Sequence, residues 1–269
     1  MNQPQSILHH DKPFIDLLDD AVWCCAQSQE IHDRPNPEGY VYIRENVARL
    51  TRLSVLNAAL ALEALANILV QRCALPGQLA VDVDKLTVLG KFDIYILSRG
   101  GSHFVDRGHK LTQAMVELIK WRNACVHPKI AQKRWTKING SSYASDTQTY
   151  PLLKIPKLIT DQGWSPEHSR SVIQFLFEFI THYLLGWCGH RPLEMRDILF
   201  DEGHEEDGVV RHYFYQPSRH MNAAISQWNL DARFLCLWVS KEEIRDGFIS
   251  RYEPGYPEDI LVSRIPNTL

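Results

Sequence analysis

The run Val55-Leu-Asn-Ala-Ala-Leu-Ala-Leu-Glu-Ala-Leu-Ala-Asn-Ile-Leu-Val70 is apolar almost all round a helix, interrupted by Asn57, Glu63 and Asn67. A helix of that kind belongs in a core rather than on a surface. It lies inside a longer helical pattern from Tyr40 to about Leu75, closed by Pro76-Gly77. Working outward, Asp11 to Ile31 places Phe14, Leu17, Leu18, Ala21, Val22 and Cys25 at helical spacing. Further helices are expected over Lys85 to Leu97, Arg107 to Val126 and Ser165 to about Trp187. The last opens with Ser165-Pro166-Glu167: a capping serine, a proline in the first turn and an acid at the positive end. The fold class is therefore mainly α, a helical bundle in which the segments near 45–75, 107–127 and 165–187 pack together.

Residues 129 to 164 are mixed and rich in Lys, Ser, Thr and Gly, a long excursion that can hold a hairpin. After Gly189 the composition shifts toward acids, glycine, proline and aromatics. Residues 1–190 thus read as the bundle and 191–269 as a small C-terminal extension against it. That extension is expected to contain at least one strand, Phe234-Leu-Cys-Leu-Trp-Val239.

Composition narrows the chemistry. Of 269 residues, 45% are hydrophobic and 23% charged, which excludes a disordered chain. The net charge of -3 announces no nucleic-acid binder, so any such role must rest on a local patch. The six cysteines show no CxxC spacing and read as small buried hydrophobes. His9-His10-Asp11 and the tract Asp201 to Asp207 hold metal-binding residue types without helix-spaced ligand sets, so both read as solvated loops. No metal and no cofactor is expected. The polar N-terminus and the charges within the apolar runs point to a cytoplasmic protein with no membrane span.

The chemistry-bearing residues interrupt two apolar helices. Glu63 and Asn67 are four apart and share a face. A carboxylate there is costly unless paired, so Glu63 should be mostly buried and should meet Arg122 or Asn123. Arg122 suits it because a planar guanidinium can hold a carboxylate by two bonds. Pro128 disfavours helix at His127, so the helix should end there and re-aim that ring. From Arg107 to Lys137 lie Arg107, Lys110, Lys120, Arg122, Lys129, Lys133, Arg134 and Lys137 against a single acid, Glu117. Lys120, Lys129, Lys133 and Arg134 are the candidates for gripping a nucleic acid. Trp121 and Trp135 offer stacking surfaces, although Trp121 reads better as core.

Ala-Leu-Ala-Leu-Glu-Ala-Leu-Ala-Asn across 59 to 67 and Glu-Leu-Ile-Lys-Trp-Arg-Asn-Ala-Cys-Val-His-Pro-Lys across 117 to 129 together resemble the HEPN superfamily. Its signature, an arginine followed by a polar residue and then a histidine after four to six residues, falls on Arg122, Asn123 and His127. The resemblance spans about residues 12 to 188. It implies a bundle of four to five helices, often a homodimer that brings two motifs together. It also implies a metal-independent RNA endonuclease acting in defence or stress response and leaving 2′,3′-cyclic phosphate ends. His127 would then be the general acid or base, with Arg122 stabilising phosphate charge and Asn123 assisting. The alternative that the same resemblance carries is a catalytically inactive module binding a protein or nucleotide, as in toxin–antitoxin pairs, with an antitoxin as partner.

Overall fold

The computed structural model describes residues 12–35, 40–101, 103–128, 135–139, 142–145, 148–158, 163–200, 204–206, 209–211 and 217–237. The first two helices, α1 (Phe14–Asp33) and α2 (Tyr40–Arg72), form an antiparallel hairpin. Their seam is lined by small hydroxyl side chains. Ser54 donates to the Ala21 carbonyl at 2.6 Å, and Ser28 bonds both the Val47 carbonyl and the Thr51 hydroxyl, the latter at 2.8 Å. Each buried hydroxyl is thereby satisfied while the two backbones come close. As the sequence predicts, the middle of α2 is core: Val55, Ala58, Ala59, Ala61, Leu62, Leu65 and Leu69 are fully buried. One helical stretch, Ile43–Arg72, is long and apolar enough to cross a membrane, and most of it is covered by the rest of the fold.

After two shorter helices, α3 (Gly77–Asp84) and α4 (Val88–Ser98), comes α5 (Lys110–Val126), and later α6 (Pro166–Thr181). The sequence pattern held no sign of α3. The helices α2, α5 and α6 touch one another pairwise, so the expected bundle forms. The excursion between α5 and α6 does contain a hairpin, β1 (Trp135–Asn139) paired antiparallel with β2 (Ser142–Ser145). Glu167 stands in the first turn of α6 as expected, and His168 closes a capping box: its Nδ1 accepts the Ser165 backbone N–H at 3.0 Å. The helix then widens into a π-helical turn, His182–Trp187, and stops at Gly189, whose positive φ of 66° no β-carbon would favour.

Beyond residue 191 the chain forms α7 (Pro192–Leu199), the short paired strands β3 (His204–Glu206) and β4 (Val209–Arg211), and α8 (Arg219–Gln227). Met195, Leu199, Met221 and Phe234 are fully buried in the same apolar core as α1, α2 and α6. The strand expected at 234–239 is not found. Arg233–Leu235 is a 3-10 turn and Cys236 has a positive φ, while 238 and 239 lie outside the described residues. A short apolar run reads the same whether it is a buried strand or a buried turn, and here packing chose the turn. The Phe234 ring wedges between Phe14 of α1 and Phe177 of α6, with centroids at 6.3 and 5.2 Å.

Candidate functional site

The site is assembled at the C-terminal end of α5. The last helical residue is Val126, and the backbone turns away at His127 (φ −120°, ψ 66°), as expected for a residue before Pro128. The His127 N–H still closes the helix onto the Asn123 carbonyl at 2.9 Å, and its side chain is exposed. One turn upstream, Arg122 is half-buried. Its guanidinium contacts the Glu63 carboxylate through Nη2, and its Nη1 donates to the Asn123 Oδ1 at 3.0 Å. The Arg122 Nε is buried and has no partner. The anticipated Glu63–Arg122 pair is therefore present. Glu63 is less buried than the sequence suggested, because α5 meets α2 only locally and leaves its side chain 29% exposed.

Asn67 serves a different knot. Its Oδ1 accepts from the buried Lys91 ammonium of α4 at 2.7 Å, and Lys91 also pairs with Asp84 at 3.3 Å. Sharing a helix face with Glu63 does not place it at Arg122. Lys120 is exposed on α5. Trp121 is core, packed edge-on against Trp164 at 5.5 Å, so it offers no surface to a base. Glu117, the lone acid of the basic stretch, is tied up accepting the backbone N–H groups of Leu152 and Leu153. Lys129, Lys133 and Arg134 lie outside the described residues, as do His9, His10, Asp11, Asp201, Glu202, Gly203 and Asp207 and the side chains of Trp135 and Lys137. Among the described residues no group of three or more His, Cys, Asp or Glu could hold a metal ion.

Sequence reasoning overlooked two cations on α2. Arg52 is half-buried, and Arg49 precedes it by one turn. Burial pushes the Arg52 guanidinium below its ordinary value, and the neighbouring Arg49 adds to this. Burial likewise raises the Cys125 thiol to about 11, which keeps it protonated and unreactive at neutral pH. The spacing Arg49-Leu-Thr-Arg52, just ahead of the apolar run, was the available signal.

Two polar clusters stand apart from this end of α5. The rings of His109 and His182 stack nearly parallel at 4.8 Å, with Trp187 edge-on to both. The buried His190 bridges the Tyr95 hydroxyl (2.9 Å) and the Glu194 carboxylate (3.0 Å), pinning α7 to α4. None of the six cysteines is in a disulfide among the described residues. The fold and site together define a mainly helical bundle that presents Arg122, Asn123 and His127 at one helix end. No family model matches this chain, and no curated protein or solved structure matches it either.

Proposed function

We propose that this protein is a metal-independent RNA endonuclease of HEPN type, acting in the cytoplasm in defence or stress response. The observation that supports this reading best is the placement of the motif. His127 stands exposed at the end of α5, and Arg122 and Asn123 lie one turn behind it, joined by a hydrogen bond. An imidazole there has solvent access to exchange protons with a ribose hydroxyl or a leaving oxygen. The attacking group is the ribose 2′-hydroxyl, since an internal nucleophile needs no metal-activated water. A homodimer belongs to the reading: Val126 and Leu53, 48% and 43% exposed on the helices that carry the site, are apolar surface for a second copy to cover. The test is incubation of purified protein with RNA in the presence of a chelator. Fragments ending in 2′,3′-cyclic phosphate from wild type, and none from His127→Ala, support it. Cleavage that needs magnesium or that acts equally on DNA overturns it.

One observation favours the runner-up, a catalytically silent module that binds a protein partner such as an antitoxin. Arg122 is already committed to Glu63 and Asn123, as a residue with a purely structural duty would be. A folded dimer that cleaves no RNA would transfer the assignment to that module.

A further inference from the structure

At the opposite end of α5 from His127, the residue that caps the helix is again a histidine. His109 accepts the Leu111 N–H on its Nδ1 at 3.3 Å, and its carbonyl accepts the Gln113 N–H at 3.1 Å. The usual caps are Ser, Thr, Asp and Asn, whose oxygens accept throughout the neutral range. An imidazole nitrogen accepts only while it carries no proton. The His109 ring lies on that of His182, with centroids 4.8 Å apart and planes 9° from parallel. Trp187 stands edge-on to both, at 5.3 and 4.6 Å, and also packs on Phe179 and Tyr183 in the core. The stack therefore joins the start of α5 to the π-helical turn that ends α6, a rare backbone geometry that often marks functional positions. Both rings are half-buried, so protons reach them from solvent.

A proton on His109 works against this arrangement in three ways. It fills Nδ1 and so removes the acceptor of the Leu111 N–H. It puts a positive charge at the positive end of the α5 dipole. Once His182 is protonated as well, two like charges face each other across the stack. Glu178, one turn before His182, opposes the effect by favouring the His182 cation. The other charged groups around the pair have duties or positions of their own. Arg107 is bound to Asp93 of α4, Asp106 accepts the Gly108 N–H, and Lys110 and His103 are exposed. Burial raises the Tyr183 hydroxyl and the Cys188 thiol, so both stay neutral across the imidazole range.

We propose that the His109–His182 stack is an acid-released latch, which frees the first turn of α5 from the π-helical turn while the rest of the bundle stays folded. The helix loosened in this way is the one that presents Arg122, Asn123 and His127. The latch stands on the cap and the ring geometry and does not depend on the nuclease reading.

The experiment is amide hydrogen exchange followed by NMR on the full chain at pH 7.5 and 5.5, with rates corrected for the intrinsic effect of pH. The Leu111 and Gln113 amides report on the latch, and the Leu176 amide in α6 reports on the bundle. On acidification, protection at Leu111 and Gln113 should fall at least ~5-fold further than at Leu176, the usual worth of one helix cap. His109→Asn keeps a capping acceptor that does not titrate, and it should abolish that excess. His182→Phe keeps a ring in the stack without a charge and should reduce it. An equal fall at all three amides in the wild type overturns the latch. An undiminished excess in either variant does the same, so His182→Phe decides the matter should His109→Asn fold poorly.

Discussion

Glu63 of α2 and Arg122 of α5 form an ion pair with side chains 29% and 22% exposed, joining the central helix to the one that carries His127. Partial exposure places the pair between a surface bridge, worth ~0–1 kcal/mol, and a buried one, whose disruption costs ~3–5 kcal/mol. A double-mutant cycle of Glu63→Ala and Arg122→Ala, read by denaturant unfolding, should give a coupling of about 1–2 kcal/mol. Arg122→Ala should destabilise more than Glu63→Ala, since it also removes the hydrogen bond to Asn123. Additive single mutants would show that the pair carries no stability.

His127→Ala should lower RNA cleavage by at least ~10²-fold, the usual worth of general acid–base catalysis, with the melting temperature unchanged. Asn123→Ala should cost less, because an amide can orient Arg122 but cannot exchange a proton near neutrality. An equal loss in both variants would contradict that division of roles.

Stability should fall as the solution is acidified through the imidazole range. Burial, then the facing His109 ring, pushes His182 below its ordinary value, with Glu178 opposing. Burial also lowers His190, against the pull of its bond to Glu194. Both groups therefore bind protons more readily in the unfolded chain. The stability they confer is complete above the unfolded imidazole pKa of ~6.5 and is lost as the pH drops through it toward the folded values. Melting curves between pH 7.5 and 5 should show this decline, and His182→Gln should flatten it. A steeper decline in that variant would mean that other groups control the transition.

Phe234→Ala should destabilise the protein by ~3–5 kcal/mol, the range for an aromatic removed from a packed core. A change below ~1 kcal/mol would mean that the turn at 233–235 is dispensable to the bundle.

The long apolar helices were legible because their burial is written into composition: a segment like Val55–Val70 has no polar face to give to water. The Glu63–Arg122 pair was legible for the complementary reason, that a charge in such a segment demands a partner. Asn67 was misplaced because helical spacing fixes its face and says nothing of what lies opposite. That neighbour, Lys91, comes from α4, and only the folded chain brings it there. Phe234 was assigned to a strand because a short apolar run carries no periodicity of its own.

The contact between Phe14 and Phe234 also bears on how the molecule is made. A ribosome delivers α1 and α2 long before it delivers Phe234, and α6 emerges between them. Until the last of these arrives, the slot beside Phe14 and Phe177 stands open to water. Closure of so distant a contact is slow relative to local helix formation. The nascent chain therefore passes through a stage in which its helices are formed but a greasy seam is on view, the kind of surface that chaperones bind and that aggregates grow from. Synthesis stalled shortly before residue 234 should trap that stage, leaving a chain with helical circular dichroism that is cut readily by protease within α1.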